Sequence, residues 1–409
     1  MSSLLSDAGN ALSRGGRGRW TAALLAVALA AGCRDVVRPP DPAGGHLFDR
    51  YAALGNSITA GFQSAGINDS TQRQSYVTLL AQSMGTAFHQ PLLNAPGCPP
   101  PVVNIFTGQT VGGASAPPCA LRDADIPFVI NDVAVPGAAI IDPLTNLSDS
   151  SSANALTTLM LGGRTQLEAA REVRPTFVTM WLGNNDVLGA ALAGDTTLIT
   201  PPATFADRYG AVADSIAGFQ DLEGAVLVGV ANVTLIPNLS LGAAWWQADQ
   251  QGQLPPNFSV DGDCAPSQFG GVGEEARVPF AYGFGVLLAR AQQGQTVHLD
   301  CVTDAPVLNP DEVLAVNRAV AAFNQTIQQV AQDRGWAYFD PNGLLLQEFQ
   351  AGNIPVFPNT SGAEAVTEPF GPFFSKDGVH PSLQGHREVA AALVDVINQA
   401  YGTDLQPPQ

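Results

Sequence analysis

The sequence predicts an α/β fold, a three-layer α/β/α sandwich with a central parallel sheet of five strands. Short apolar runs alternate along the chain with segments of helical periodicity, which is the pattern of a parallel sheet covered by helices on both faces. Polar turns follow three of the apolar runs, the position at which open α/β sheets bind their ligands. The chain has 409 residues, 45% of them hydrophobic, and it is therefore long enough to bury a large core.

Five apolar runs are predicted as the strands. In chain order they cover residues 50–54, 129–135, 176–182, 225–230 and 336–339. The run at 176–182 is rich in β-branched and aromatic residues, as strands are. Because three of these runs end in glycine or amide residues, we expect the functional side chains at their carboxyl ends.

Helical segments connect these strands. We predict helices at residues 76–84, 156–172, 204–219, 311–334 and 383–400. Ser75 is a candidate N-cap for the first of them and Gly85 a stop signal. The helix at 311–334 is the best marked, since Pro310 precedes it and Gly335 follows it.

Two stretches interrupt this alternation and are predicted as insertions, at residues 92–126 and 239–309. Both are rich in glycine and proline. We expect the folded domain to cover residues 48–402, followed by a short tail at 403–409. The insertions are expected to shape the substrate cleft.

A serine stands where the first strand ends, in Gly55-Asn56-Ser57. A serine hydroxyl is a weak nucleophile, so it needs a base to take its proton and donors to stabilise an oxyanion. Far downstream, Asp377 and His380 are three residues apart, close enough for the carboxylate to bond one ring nitrogen and leave the other for the serine. Asn185 ends another apolar run with an amide side chain.

These blocks, together with Gly137 after the second predicted strand, resemble the four blocks of the SGNH (GDSL-type) hydrolase family, in the family's usual chain order. The resemblance runs from about residue 48 to residue 400. It implies a flavodoxin-like sandwich in which Ser57 is the nucleophile, His380 the general base and then acid, and Asp377 the group that orients His380. It further implies an oxyanion hole formed by the backbone N–H groups of Ser57 and Gly137 and the side chain of Asn185.

The first block departs from the family pattern at one position. It reads Gly55-Asn56-Ser57-Ile58, where the family usually has Gly-Asp-Ser-Leu. Asparagine tolerates the same tight turns as aspartate, so we expect the local geometry to be kept while any role of the carboxylate charge is lost.

Four other features have both a functional and a structural interpretation. His386 lies within the last predicted helix and is interpreted as structural. Asp186 follows Asn185 and is expected to bond backbone in its turn, a catalytic acid being the alternative. The pairs Trp245-Trp246 and Phe373-Phe374 are interpreted as core, with an acyl pocket as the alternative.

The first 32 residues are predicted to be a signal peptide. Three arginines precede an apolar run at about 20–31, which is shorter than the roughly 20 residues of a membrane span. Ala30-Ala31-Gly32-Cys33 resembles a bacterial lipobox, which implies cleavage before Cys33 and lipid on its thiol. An ordinary secretory signal is the alternative. Residues 33–47, rich in proline and glycine, are then a tether.

Four cysteines remain beyond Cys33, an even number in an exported chain. Three pairings are open, and we favour the nearest-neighbour one, which closes a loop within each insertion. A metal site is the weaker alternative, because Cys-x-x-Cys spacing and neighbouring histidines are absent from the sequence. The favoured pairs are Cys98 with Cys119 and Cys264 with Cys301.

The formal net charge of −18 argues against nucleic acid as a partner, because phosphate binding needs a basic face. We expect neither a cofactor nor a metal. The predicted function is that of an exported, membrane-anchored lipoprotein esterase, acting on lipid or short-chain acyl esters through an acyl-serine intermediate. An esterase of acetylated carbohydrates and a non-catalytic lipoprotein that binds glycans or acyl chains are the alternatives.

Overall fold

Four parallel strands form the central sheet. A computed structural model of the protein describes residues 45–145 and 155–408. The predicted signal peptide, Cys33 and nearly all of the predicted tether lie outside the described residues. The neighbours in the sheet follow the order of the chain, and the strands are β1 (Tyr51–Gly55), β2 (Phe177–Trp181), β3 (Gly224–Val228) and β4 (Ala337–Phe339).

Each face of the sheet packs against its own layer of helices. The helices used below are α1 (Ser57–Ala60), α2 (Tyr76–Met84), α3 (Gln166–Val173), α4 (Asn185–Ala193), α5 (Pro202–Ala217), α6 (Pro310–Arg334), α7 (Pro341–Gln350) and α8 (Leu383–Tyr401). Alternate strand residues such as Leu54 and Met180 join a core with α3 to α6, whereas Tyr51 and Phe177 join a second core with α2 and α8. Because successive side chains of a strand point to opposite faces, the three-layer arrangement follows directly.

The second predicted strand, at residues 129–135, is wrong in extent. Residues 129–135 run beside β1 at the edge of the sheet, with a single parallel bridge between Asp132 and Ala53. The N–H of Val133 donates to the oxygen of Ala53, and the Asp132 side chain accepts from the N–H of Ala134. Hydrogen bonds from a side chain to the backbone compete with the regular hydrogen-bond ladder between strands. The segment therefore lies where an edge strand would lie but is not fully hydrogen-bonded to β1.

One predicted helix is divided into two. The region 156–172 forms helices Ala155–Leu161 and α3. Gly162 and Gly163 between them have positive φ angles, which ends the first helix, and Thr165 begins α3 with a capping box to Glu168. The other four predicted helices are present as α2, α5, α6 and α8. Ser75 is the N-cap residue of α2, but its side chain makes no capping bond.

Short elements fill the regions predicted as insertions. In the first, Val102–Asn104 pairs with Gln109–Thr110. In the second, Leu239–Leu241 pairs with Arg277–Pro279, and Phe258–Val260 pairs with Val297–Leu299. These strands surround a separate small core that contains the buried Trp245.

The remaining helices of the described residues are short and lie in several parts of the chain. They are Asp69–Gln72, Gly242–Gln250, Phe280–Tyr282 with its π-helical continuation Gly283–Leu288, Ala289–Gln292 and Glu364–Thr367, with short 3₁₀ turns between elements.

A disulfide lies in each of these two regions. Cys98 is bonded to Cys119 and Cys264 to Cys301, which is the nearest-neighbour pairing. A sulfur in a disulfide is not available as a thiolate ligand.

Across residues 45–145 and 155–408, no helix is both long enough and apolar enough to cross a membrane.

Candidate active site

Ser57 is held at a sharp turn between β1 and α1. Asn56 is the N-cap residue, and its side chain accepts a hydrogen bond from the N–H of Ile58 at 3.0 Å. The asparagine therefore caps α1 and stabilises the tight turn that we expected it to tolerate. Since Ser57 is the first residue of α1, its own N–H has no partner within the helix and remains available to a ligand.

The residue before this turn must be small. A Cβ at Gly55 would lie 2.1 Å from the Oγ1 of Thr59, so only glycine lets the chain turn so tightly. The buried side chain of Gln166 bonds both backbone groups of Gly55 at 3.0 Å. Sequence reasoning missed this support from α3, because a glutamine in a helix gives no sign of a partner more than a hundred residues away.

Three side chains from the two ends of the chain form a hydrogen-bonded row. The Nε2 of His380 lies 2.8 Å from the Oγ of Ser57, and the Nδ1 of His380 lies 2.8 Å from the Oδ2 of Asp377. With a proton on Nδ1, the ring donates to the carboxylate and presents Nε2 as an acceptor for the serine hydroxyl. The arrangement can remove a proton from Ser57 and return it.

Asp377 is buried and yet charged. Its carboxylate accepts from the N–H groups of Ala65, Val379 and His380, from the hydroxyl of Ser375, and from the imidazole. Burial raises the pKa of this carboxyl, but the neighbouring imidazole and the donors more than offset it and lower the pKa to about 2. Asp377 is therefore an anion throughout the neutral range.

The donor from Ala65 comes from an unusual turn. Ser64 and Ala65 have φ angles of 55° and 56°. These values lie in the left-handed region, which residues other than glycine rarely adopt. The N–H of Ser64 also donates to the Oγ of Ser375 at 2.8 Å. Sequence reasoning missed this turn, since neither residue type marks it.

Gly137 and Asn185 lie close to each other and border the same cavity as Ser57. Gly137 has a φ of 84° in the loop after the edge segment. The Nδ2 of Asn185 donates to the oxygen of Ala138 at 2.9 Å, which leaves the second N–H of this amide for another acceptor. Asp186 binds the same loop, since its Oδ2 accepts from the N–H of Ile140 at 2.9 Å. Asp186 therefore bonds to backbone, as expected, but to a loop 46 residues earlier in the chain rather than within its own turn.

The pKa of Asp186 reflects that role. Burial raises it to about 6, despite the bonds from Ile140 and from the hydroxyl of Thr200. Its carboxyl group is hydrogen-bonded to both of these donors.

Two cavities meet at Ser57. The first is open and has a volume of about 390 Å³. The second is narrower, more enclosed and has a volume of about 50 Å³. Both are bordered by Ser57, Asn185, Leu188, Val379 and His380. An ester bound at Ser57 would therefore have a separate space for each of its two parts.

The remaining aromatic and imidazole candidates now have defined places. Phe373 and Phe374 are buried and also line the narrow cavity, so they belong to both core and pocket. Trp245 is buried in the second insertion and donates to the Oγ of Ser240.

His386 is fully buried and accepts from the N–H of Tyr76, and burial lowers its pKa to about 3. It is neutral and packed within the core, as a structural histidine is.

A single group of side chains in the described ranges has the spacing of metal ligands. It consists of Asp263, Cys264 and Cys301, of which the two sulfurs are bonded to each other.

Comparisons with known proteins bear on the same part of the chain. A family model described as GDSL-like Lipase/Acylhydrolase matches residues 51–393, a range that includes Ser57, Gly137, Asn185, Asp377 and His380. No curated protein matches the sequence.

Two solved structures illustrate the structural likeness. A catalytic mutant of Axe2, an acetylxylan esterase from Geobacillus stearothermophilus, is 10% identical with a TM-score of 0.38, over 87% of this chain and 95% of that one. LAE5, an alpha/beta hydrolase enzyme from the metagenome of Lake Arreo in Spain, is 13% identical with a TM-score of 0.37, also over 87% and 95% of the two chains.

Proposed function

The chain belongs to the GDSL-like lipase/acylhydrolase family and is an ester hydrolase, and we propose that it works through an acyl-serine intermediate on Ser57. The observation that supports this is the row of 2.8 Å contacts from Ser57 through His380 to Asp377. A protein that only binds its ligand would not need a serine hydroxyl hydrogen-bonded to a histidine whose ring is oriented by an aspartate.

In the first half of the reaction, the Oγ of Ser57 attacks the ester carbon and its proton passes to the Nε2 of His380. The carbonyl oxygen gains negative charge, which the N–H groups of Ser57 and Gly137 and the amide of Asn185 stabilise. The bond to the alcohol oxygen then breaks, and His380 gives the proton to the departing alcohol.

In the second half, water attacks the acyl carbon and gives a proton to His380. The bond to the Oγ of Ser57 breaks, the proton returns to Oγ, and the carboxylic acid leaves. Asp377 keeps its negative charge throughout and stabilises the imidazolium that forms twice in each cycle.

We further propose that the substrates are apolar esters rather than acetylated glycans. The walls of the open cavity are mostly apolar, with Phe62, Ile105 and Leu192 among them. Its polar residues are those of the proposed catalytic machinery and Asn238, whose amide donates to the backbone oxygen of Asp377. A sugar would lose hydrogen bonds to water there without replacement, which is costly, whereas an apolar group gains by burial.

The test of this function is labelling by a fluorophosphonate, which reacts with activated serines. We expect the wild-type protein to be labelled at Ser57, to hydrolyse p-nitrophenyl butyrate, and to release little acetate from acetylated xylan. The Ser57→Ala variant should neither be labelled nor turn over the ester. Equal turnover by Ser57→Ala would remove the serine assignment, and faster deacetylation of xylan would establish a glycan substrate instead.

We also propose that the protein is exported and held at a membrane by lipid on Cys33. The lipobox-like segment and the two disulfides support this proposal. Replacing Cys33 by serine should release active protein from the membrane fraction with unchanged kcat on a soluble ester. The check is to fractionate cells and assay both fractions of the same sample. The mass of the N-terminal peptide of the native protein is measured as well, to detect the added lipid. Variant protein that stays with membranes would contradict the anchor and leave the esterase assignment intact.

A further inference from the structure

We propose that the narrow cavity beside Ser57 is the acyl pocket and that it restricts the enzyme to short acyl chains. This inference rests on the proposed function of Ser57 and assigns a role to each of the two cavities.

The positions of the cavities fix where the ester carbon would lie. Ser57, Asn185 and His380 border both of them. An ester carbon in reach of the Oγ of Ser57 therefore stands at their junction, and its two substituents extend into different spaces.

The order of chemical events decides which substituent goes where. The alcohol departs while the acyl group is still bonded to Ser57, and water must then reach the acyl carbon. Departure and water entry both need a path to solvent, and the open cavity offers a wider path than the more enclosed one. The alcohol therefore belongs in the open cavity and the acyl chain in the narrow one.

The walls of the narrow cavity suit a hydrocarbon chain. They come from segments far apart in the chain and are overwhelmingly apolar, among them Val233, Leu344, Leu345, Phe373, Phe374 and Val389. No charged side chain lines it other than His380 when protonated, so an acyl chain with an ionised end would be rejected for lack of a partner.

The size of the cavity sets a chain length. Its volume is about 50 Å³, and because a single water needs about 10–15 Å³ on this measure, it holds roughly three to five groups of that size. Acyl groups from acetyl to about pentanoyl fit, and longer chains would have to displace buried side chains.

Helix α7 offers a matched pair of variants. Leu344 lines the cavity and is half-buried, whereas Leu346 on the same helix is 50% exposed and does not line it. Leu344→Ala lengthens the pocket, and Leu346→Ala is the control. Ala231 also lines the cavity, so Ala231→Val shortens it and provides an independent variant of opposite sign.

The experiment measures kcat/KM for two ester series. In the first, p-nitrophenyl esters vary from acetate through butyrate and hexanoate to octanoate. In the second, the acyl group stays acetyl and the alcohol varies from ethyl to octyl. In the wild-type acyl series we expect kcat/KM to rise about fourfold per methylene while the pocket fills and to fall at least tenfold by octanoate. The alcohol series should show no such fall.

The variants should move the limit in opposite directions. Leu344→Ala should raise the ratio of hexanoate to acetate turnover at least tenfold, Ala231→Val should lower the ratio of butyrate to acetate, and Leu346→Ala should leave both within about twofold. A limit that appears only in the alcohol series would overturn the assignment of the cavities. Undiminished turnover of octanoate by the wild type would overturn the size limit.

Failure of the underlying function gives a different result. In that case the wild type would hydrolyse no member of either series and would not react with the fluorophosphonate. Turnover with a pattern other than the expected one contradicts the acyl pocket alone.

Discussion

Asp377 and Asp132 are both buried, with 6% and 0% of their surface exposed, yet their pKa values are shifted in opposite directions. Burial raises the pKa of each. At Asp377 a neighbouring imidazole and five donated hydrogen bonds reverse the effect, and the pKa falls to about 2. At Asp132 burial prevails over the two donors, the N–H of Ala134 and the amide of Gln90, and the pKa rises to about 7.

A neighbouring charge and hydrogen-bond donors, rather than depth, therefore decide whether a buried carboxyl is charged. Asp186, with bonds from Ile140 and Thr200 and an arginine nearby, is intermediate at about 6. The carboxylate proposed for catalysis is the one surrounded by donors, whereas Asp132 and Asp186 each accept two hydrogen bonds. Three substitutions test this contrast.

Asp377→Asn should produce the largest effect, a fall in kcat of about 10⁴. An amide cannot stabilise the imidazolium of His380 by charge, and it favours the wrong tautomer of the ring. Steady-state kinetics on p-nitrophenyl butyrate make the measurement, and Asp132→Asn is the matched control, expected to stay within a few-fold of wild type. If both variants lost activity equally, the contrast between the two carboxylates would be without functional meaning.

Asn185→Ala should lower kcat by about 10²–10³ with little change in KM, because an oxyanion donor acts mainly in the transition state. The neighbouring Asp186→Asn is the control. It keeps an acceptor for the N–H of Ile140 and should cost activity much less. A change confined to KM in Asn185→Ala would make Asn185 a ground-state binding residue.

The third substitution tests the pH dependence of stability. Below pH about 4 the carboxyl of Asp132 is protonated in both folded and unfolded chains. Between about pH 4 and pH 7 the unfolded chain releases this proton while the folded protein retains it, so the contribution to stability is lost as the pH rises. The loss amounts to at most about 1.4 kcal/mol per pH unit.

Asp132→Asn removes this dependence. The measurement is urea unfolding of wild type and variant at pH 5, 6, 7 and 8. We expect the free energy of unfolding of the wild type to fall relative to that of Asp132→Asn from pH 5 to pH 7 and to level off above. A constant difference across the range would mean that Asp132 is already ionised at pH 5.

Local patterns in the sequence predicted most of the sheet and the serine site. Apolar runs of strand length, a serine after the first of them, and the spacing of Asp377 and His380 are properties of short segments, and short segments determine their own strands, turns and caps. The same reasoning failed at residues 129–135 and at Gly162-Gly163. There, bonds from side chains and a glycine pair outweighed the apolar pattern.

The order of strands and helices and the residue types available for catalysis can be read from the amino-acid sequence alone. Packing of the folded chain is what brings the N–H of Ala65 to Asp377, Gln166 to Gly55, and Leu344 and Phe373 to the walls of one narrow cavity. Each of these arrangements joins residues from separate parts of the chain, and the two hydrogen bonds span 312 and 111 residues. Such contacts arise when layers of helices pack on a sheet, and no local pattern encodes their distance or shape.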